Sequence, residues 1–564
     1  NAVDSFISKS DSLDIKIVAQ EGYLVFMHNG EAFSKRDVEG LCDVGNGNKM
    51  KDIQKIGYKG IGFKSVFRAS NCVYIKSGDF CFKFDKAVWN NYWDSNWKDE
   101  YGEKDWDKNY LMPWQIIPIE TTAPIQIDTT GYNVVTYIQT KNLAELSESV
   151  KTLLKTSQFL LFLTAKNVRM TYVESGVPQQ IIEKHTFDNE ISLLVNGKEE
   201  SRWLYHMIPN VPINDEELRL RIAEDQKTPD KLKIDEHGKT LSVNTFDIAF
   251  AVQIENKDGE RIVKTADNPV MYTYLPTSFK FGDEGFPFLV NANFITDAGR
   301  EQLIKDSEWN KLLISKIPEL YLKWVATFSR EIKNYYDVLP KKSYGVSDKL
   351  RLAYDTAAKS AIETIPFIPS LKTNQLLKGS EAFIDRIGLA DVMTHQLLFA
   401  HIDRIYSRTF EQESNIVANK GITILKQYGV FVFDQSKFKA FFDDKEAING
   451  ISSDEDVKLI KLLHEYCLLN EDSDFEQQLQ EIPFLLNNHD QLALPRQLCT
   501  HLLKEVDEIN ADVQTINANI YNQLSQYDLD WLKKLGLSEP SDTSIIDTGR
   551  LFEEGVVTRD NAIE

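Results

Sequence analysis

Short stretches of alternating or continuous apolar residues dominate the first third of the chain. Residues 13–27, LDIKIVAQEGYLVFM, alternate and then become an apolar run, which predicts two strands joined by a turn. Residues 72–86 predict a hairpin, and 132–140, YNVVTYIQT, predict a further strand. Two helices are expected: a short one at 34–44, and an amphipathic one at 143–163 that ends by running into the core.

The same patterns divide the chain into three regions. Strand patterns continue to about residue 330, after which the pattern becomes mainly helical with acidic loops. We therefore predict an α+β fold, with a sheet covered on one face over residues 1–166, a mixed α/β middle domain over 167–334, and a mainly helical region over 335–564. The strands of the middle domain are predicted at 167–174, 180–194, 245–255, 270–275 and 287–291.

The predicted helical region contains two similar segments, which we call the Ile-Pro-Phe echo. IPFIPSLKTNQLLKGSEAF begins at Ile365, and IPFLLNNHDQLALPRQL begins at Ile482. Both place Ile-Pro-Phe before a polar turn and a Leu-rich segment. Two copies are fewer than a solenoid needs, so the echo is either a duplication or a shared local turn.

Charge and cysteine content limit the functional classes. The net charge is −21, which repels a phosphate backbone and makes a nucleic-acid partner less expected. The five cysteines lack C-x-x-C pairing, so reduced thiols in a cytoplasmic protein are expected rather than disulfides or zinc. We find no apolar run long enough to span a membrane and no signal-peptide pattern. The chain begins with Asn1 rather than Met, so natural residues are expected upstream of it.

A glycine-rich stretch is the main chemical signal. IGYKGIGFKSVF runs from Ile56 to Phe67 and carries Gly57, Gly60 and Gly62. The order of residues does not match a Walker A loop or a dinucleotide fingerprint. Glycines expose backbone N–H groups, and the following FKSVF resembles the first turn of a helix, whose N-terminus favours anions. A phosphate cradle and a simple tight turn are the two interpretations.

Three stretches in order resemble a known superfamily. NAVD at residues 1–4, HNGEA at 28–32 and GYKGIG at 57–62 are similar to the three motifs of the GHKL ATPases, which include DNA gyrase B and heat-shock chaperones. The third stretch most resembles that of the sacsin/NO VEIN-like ATPases. The resemblance implies a Bergerat ATPase sandwich that binds ATP and Mg²⁺, followed by a transducer-like middle domain.

The resemblance also implies roles for individual residues. Asn1 matches the family asparagine that holds Mg²⁺ against the phosphates, and Asp4 would face the same pocket. His28 stands where the family has an adenine-reading Asp, a departure for which Asn29 or a backbone carbonyl would substitute. The remaining implied ATP-binding residues are Gly30, Phe33, Gly57, Tyr58, Lys59, Gly60, Ile61, Gly62, Phe63 and Thr136, the last at the back of the adenine pocket.

A second segment resembles the catalytic loop of the chaperone middle domain. In FPFLVNANFITDAGREQL, Arg300 occupies the position of the arginine that senses the γ-phosphate, a role suited to a bidentate, permanent cation. A surface Arg-Glu pair is the alternative. The helper Gln of that loop is Ile304 here. The family's general-base Glu would precede Asn1.

Together these features predict an ATP-driven conformational machine, chaperone-like or acting in defence or quality control. ATP and Mg²⁺ would close a lid at about 46–54, dock it through Arg300, and couple closure and a nucleotide-dependent homodimer to a protein partner or client. A DNA-associated GHKL clamp and a nucleotide-binding scaffold without turnover are the alternatives.

Overall fold

A computed structural model of the chain divides it into two compact units, Asn1–Ile365 and Pro366–Glu564. Each unit is described by itself. The structure describes residues 2–3, 5, 12–42, 63–96, 113–225, 244–297, 299–345, 347–410, 413–500 and 514–539.

Strands make up most of the first unit. In chain order they are β1 Ser12–Gln20, β2 Tyr23–His28, β3 Cys72–Ser77, β4 Phe80–Asp85, β5 Ile119–Glu120, β6 Val134–Gln139, β7 Asn167–Glu174, β8 Val177–Phe187, β9 Glu190–Val195, β10 Lys198–Pro212, β11 Thr245–Lys257, β12 Glu260–Lys264, β13 Val270–Thr273, β14 Leu275–Lys280 and β15 Leu289–Ala292.

All fifteen strands belong to one mixed sheet. Its order is β14-β13-β15-β11-β10-β9-β8-β7-β1-β2-β6-β3-β4-β5, with β12 added to β11. The predicted β1–β2 hairpin forms around Glu21 and Gly22, whose φ angles of 52° and 79° suit a tight hairpin turn. Eight parallel residue pairs join β1 to β7. The segments predicted as the first and middle domains therefore share a continuous sheet.

The helices of the first unit are α1 Lys35–Cys42, α2 Lys86–Asn96, α3 Leu143–Leu153, α4 Glu216–Glu224, α5 Glu308–Phe328 and α6 Lys349–Thr364. Helix α3 is shorter than the predicted 143–163. Leu160, Leu161, Phe162 and Leu163 are consecutive and all buried, which one face of a helix cannot achieve. They enter the core at the end of a short 3₁₀ helix, Gln158–Leu160, and the turn that follows it.

The second unit combines helices with three two-stranded ladders. Its helices are α7 His395–Tyr406, α8 Ile422–Gln427, α9 Gln435–Phe441, α10 Ser453–Asn470, α11 Ser473–Leu479, α12 Ala518–Gln523 and α13 Gln526–Lys534. Its strands are β16 Ile368–Pro369, β17 Leu376–Leu377, β18 Phe383–Asp385, β19 Phe431–Phe433, β20 Leu485–Leu486 and β21 Leu492–Ala493. The chain is thus a mixed α+β protein. Among the helices that the structure describes, none is both long and apolar enough to cross a membrane.

The Ile-Pro-Phe echo marks a module that occurs twice in the second unit. In the first copy, residues 366–433, the hairpin β16–β17 is followed by a 3₁₀ turn at Gly379–Glu381; in the second, residues 483–538, β20–β21 is followed by one at Pro495–Gln497. Both copies end in a similar segment, LKQYGV at 425–430 and LKKLGL at 532–537. One hydrophobic core contains side chains from both copies and from α10.

Backbone hydrogen bonds match between the copies well beyond the hairpin. In four cases a backbone N–H in each copy donates to the equivalent carbonyl. Leu371 donates to Ile416 as Asn488 does to Thr515, and Val417 donates to Phe383 as Ile516 does to Cys499. Phe431 donates to Ala382 as Ser538 does to Leu498, and Val430 donates to Leu425 as Leu537 does to Leu532. Since three of these four pairs join segments far apart in sequence, the echo is a repeated module rather than a shared local turn.

Candidate functional site

Ser5, directly after the first motif stretch, contacts the second stretch at Gly30 and Glu31. The backbone N–H of Glu31 donates to the carbonyl of Ser5 at 2.9 Å. A Cβ at Gly30 would lie 2.4 Å from Ser5 Oγ and 2.9 Å from His28 Nδ1, so only glycine allows this approach. Ala2 is buried in the core beside β1. Ser5 therefore packs directly on the loop that follows β2.

His28 and Asn29 begin that loop, and their side chains have structural partners. The His28 ring is only 4% exposed, and its Nδ1 accepts a hydrogen bond from the Gly30 N–H at 3.2 Å. The Asn29 amide holds the start of β1, accepting from the Asp14 N–H at 2.9 Å and donating to the Ser12 carbonyl at 3.1 Å. The Asn29 amide is thus used in shaping the loop, whatever it contributes to recognition.

Two further side chains, which the sequence analysis did not single out, shape the loop. Ser77 Oγ accepts from the Phe33 N–H at 2.8 Å, and Asn133 Nδ2 donates to the carbonyls of Asn29 and Gly30 at 3.2 and 3.0 Å. These bonds join residues far apart in sequence, so neither side chain gave a local signal. Both lie at strand ends, where β3 stops and β6 starts.

Thr136 lies on the same face of the sheet as His28. It pairs with Phe26 on β2 and with Ile75 on β3, and directly paired residues share a face. Phe26 packs against the cluster that contains Ala2, whereas Ile75 belongs to a second cluster. Thr136 therefore lies between two apolar clusters on one sheet face.

The second cluster brings together Phe33 and Phe63, which directly follow the second and third motif stretches. Both rings pack against the buried side chains of β3 and β4, and Phe63 lies 6.1 Å from Phe84 between ring centroids. The predicted helical turn after the glycines is a 3₁₀ helix, Phe63–Arg68. Beside it is a cavity of about 280 Å³ lined by Lys64, Phe67, Pro113, Gln115 and Ile116.

Several predicted site residues lie outside the described residues. They are Asn1, Asp4, Gly57, Tyr58, Lys59, Gly60, Ile61 and Gly62, together with the lid at 46–54. Within the ranges that the structure does describe, no group of three or more His, Cys, Asp or Glu side chains could hold a metal ion.

Arg300 occupies a tight hairpin after β15. Thr296 and Leu303 form a bridge, the Asp297 N–H donates to the Gln302 carbonyl at 2.9 Å, and the Ser278 N–H of β14 donates to the Glu301 carbonyl at 3.0 Å. Arg300 itself has a left-handed backbone, with φ of 60°, which is uncommon for a residue other than glycine. In the sheet order, six strands separate β15 from β2.

Comparison with known proteins gives two sequence relationships. A model of the sacsin domain matches residues 3–135. Protein NO VEIN of Arabidopsis thaliana is 25% identical over 342 residues, which covers 58% of this chain and 11% of NO VEIN. The chain therefore spans about a tenth of the length of this relative. It is similar to sacsin-domain and NO VEIN-like proteins, and the sacsin match contains the second and third motif stretches and the last two residues of the first.

One solved structure was also compared. The N-terminal domain of a DNA repair protein matches with a TM-score of 0.23 and 10% identity, covering 52% of this chain and 83% of that one. A likeness at that TM-score carries no argument about this chain.

Proposed function

We propose that the first unit binds ATP with Mg²⁺ in the manner of a GHKL ATPase, and that its turnover drives a conformational change. The observation that carries the proposal is the convergence of separate motif stretches on one sheet face. Ser5 contacts the loop at Gly30 and Glu31, Phe33 and Phe63 share a cluster, and Thr136 lies between the two apolar clusters. The resemblance implies that these segments surround a nucleotide.

The residues proposed to hold the nucleotide are those that the resemblance implies. The Thr136 hydroxyl would lie at the back of the adenine pocket, with His28 and the loop at 29–33 along its rim. The glycines at 57, 60 and 62 would hold the phosphates through backbone N–H groups. Mg²⁺ normally takes most of its ligands from phosphates and waters, so the single oxygen of Asn1 would suffice. The bound ion would neutralise charge on the phosphates.

Arg300 would act as the γ-phosphate sensor only after a change of shape. Seven strand-to-strand steps of about 4.8 Å would separate β2 from β15 by about 34 Å on a flat sheet. An arginine side chain cannot span that distance, and sheet twist shortens it only in part. ATP binding and engagement of Arg300 are therefore separable steps. The lid and a nucleotide-dependent homodimer would couple the two steps. The resulting change of shape would act on a protein partner in a chaperone-like or defence role.

The test is a calorimetric titration of the whole chain with ATP in the presence and absence of Mg²⁺, followed by measurement of phosphate release. We expect Mg²⁺-dependent binding, and a several-fold weaker affinity for Thr136→Val, because one hydrogen bond contributes about 0.5–1.5 kcal/mol. Thr171→Val is the matched control, since Thr171 is also a half-buried strand threonine, on β7. Absence of ATP binding by the unsubstituted chain would refute the proposal. Binding without phosphate release would restrict it to a nucleotide-gated scaffold.

A further inference from the structure

The hairpin that carries Arg300 is clamped at its base by a single buried side chain. Asn310, in the first turn of α5, is fully buried, with 0% of its surface exposed. Its Oδ1 accepts from the Ile295 N–H at 2.8 Å, and its Nδ2 donates to the carbonyls of Ile295 at 2.7 Å and Ile304 at 3.0 Å. One amide thus uses its acceptor and both of its hydrogens on the two chains entering and leaving the hairpin.

The surroundings make this clamp rigid. The Ile304 N–H donates to the Ile295 carbonyl at 3.0 Å, which closes the base of the hairpin. Ile295, Thr296 and Leu303 are all buried. Ser307 caps α5 and accepts from the Asn310 N–H at 3.4 Å. The Asn310 side chain therefore departs from a fixed backbone, and its planar amide fixes the separation of residues 295 and 304.

We infer that Asn310 is a positioning residue for Arg300, an inference that rests on the proposed function. The hairpin holds Arg300 in a left-handed backbone conformation, and its base is set by the Asn310 amide. Loss of that amide would leave the buried Ile295 N–H without its partner, and the carbonyls of Ile295 and Ile304 would each keep one of two hydrogen bonds. The Ile295 N–H would regain a hydrogen bond only if the base opened. Arg300 would then lose the fixed backbone from which it meets a γ-phosphate.

The experiment compares the affinities of the whole chain for Mg-ATP and Mg-ADP. The ATP-to-ADP preference reports recognition of the γ-phosphate and is unaffected by a uniform loss of folded protein. We expect Arg300→Ala to lower this preference about tenfold, as removal of a charge-assisted hydrogen-bonding partner does. Asn310→Ala should lower it in the same direction. The double variant should be no worse than Arg300→Ala, since both substitutions remove one function.

Asn487→Ala is the matched control. Asn487 is also a buried asparagine, and its Oδ1 accepts from the N–H groups of His489 and Gln491 at 2.9 Å, so it fixes a turn of the second unit in a similar way. This control should lower the melting temperature without changing the ATP-to-ADP preference. Amide hydrogen exchange without nucleotide provides a second readout, with faster exchange over 295–304 in Asn310→Ala and unchanged exchange there in the control.

Asn310→Asp keeps the falsifying test available if the alanine variant does not fold. It retains the size and the acceptor of asparagine but removes its amide donors. If the unsubstituted chain prefers ATP through Arg300 and both Asn310 variants keep that preference, Asn310 does not position Arg300 and the inference is wrong while the proposed function stands. If the unsubstituted chain binds no ATP, the proposed function is wrong and this inference is overturned with it.

Discussion

The two copies of the repeated module share their hydrogen bonds but differ in how they are packed. In each copy the 3₁₀ turn lies against the glycine of the L-K-x-x-G segment, Gly429 or Gly536. The first copy has Gly379 at the start of its turn, where an added Cβ would lie 1.7 Å from the Tyr428 carbonyl. The second has Pro495 at that position, and there Gly536 is the crowded residue, with an added Cβ 3.1 Å from Arg496. The backbone arrangement is therefore shared, but the crowded glycine is in the 3₁₀ turn of the first copy and in the L-K-x-x-G segment of the second.

A second difference concerns what ties each hairpin to the rest of the unit. In the second copy, the Leu486 N–H donates to Asp456 Oδ2 on α10 at 2.8 Å. The matching position in the first copy is Pro369, which has no N–H to donate. A buried carboxyl group therefore serves one copy alone.

The largest expected effect comes from this carboxyl group. Asp456 has 0% of its surface exposed, and burial raises its pKa to about 8. Between about pH 4 and pH 8 the folded protein therefore binds a proton that the unfolded chain has released. Stability should fall as pH rises through this window, by up to about 1.4 kcal/mol per pH unit and a few kcal/mol in total.

Asp456→Asn separates this carboxyl from every other titrating group. The asparagine keeps an acceptor for the Leu486 N–H and does not ionise. The difference in unfolding free energy between the variant and the unsubstituted chain, measured in urea at pH 5 and pH 8, should therefore shift in favour of the variant at pH 8. An equal difference at the two pH values would show that Asp456 does not hold a proton in the folded protein.

The next effect in size would break the first copy at its closest contact. Gly379→Ala places a methyl group against the Tyr428 carbonyl, and relief requires a backbone shift that we expect to cost about 3 kcal/mol. Pro495→Ala is the control in the second copy, where a Cβ is already accommodated, and it should change stability by less than about 1 kcal/mol. Urea unfolding measures both. Equal losses of unfolding free energy in the two variants would show that the two copies do not differ in where the close contact lies.

The local part of this architecture was predictable, and the long-range part was not. Alternation predicted β1, β2 and the hairpin of β3 and β4, because side chains on a half-buried strand point to the two faces in turn. The end of α3 was misjudged because an apolar run such as 160–163 does not by itself distinguish a continued α-helix from a buried turn. The two Ile-Pro-Phe segments indicated the repeat. The second sequence shared by the two copies, L-K-x-x-G, was not recognised as part of the repeat.

The candidate site divides in the same way. Motif order predicted that the first two stretches belong together, and the contact between Ser5 and Gly30 is consistent with that expectation. The roles of Ser77 and Asn133 depend on partners that only folding brings near. Asn310 is an ordinary residue in the first turn of a helix by sequence, and its three bonds to the Arg300 hairpin follow from packing. Its importance was therefore not readable from the sequence.

The smallest effect sharpens the comparison at the second glycine. Gly429 and Gly536 both have left-handed backbones, with φ of 92° and 119°. Substitution of either by alanine should therefore lower the free energy of unfolding by about 1–2 kcal/mol from backbone strain alone. Gly429 has only ordinary contacts for an added Cβ, the nearest at 3.7 Å, whereas Gly536 would press on Arg496. Gly536→Ala should therefore cost more, by about 1 kcal/mol in urea unfolding. A larger loss for Gly429→Ala would mean that the crowded contact lies in the same place in both copies, and that the repeat is closer in packing than its side chains suggest.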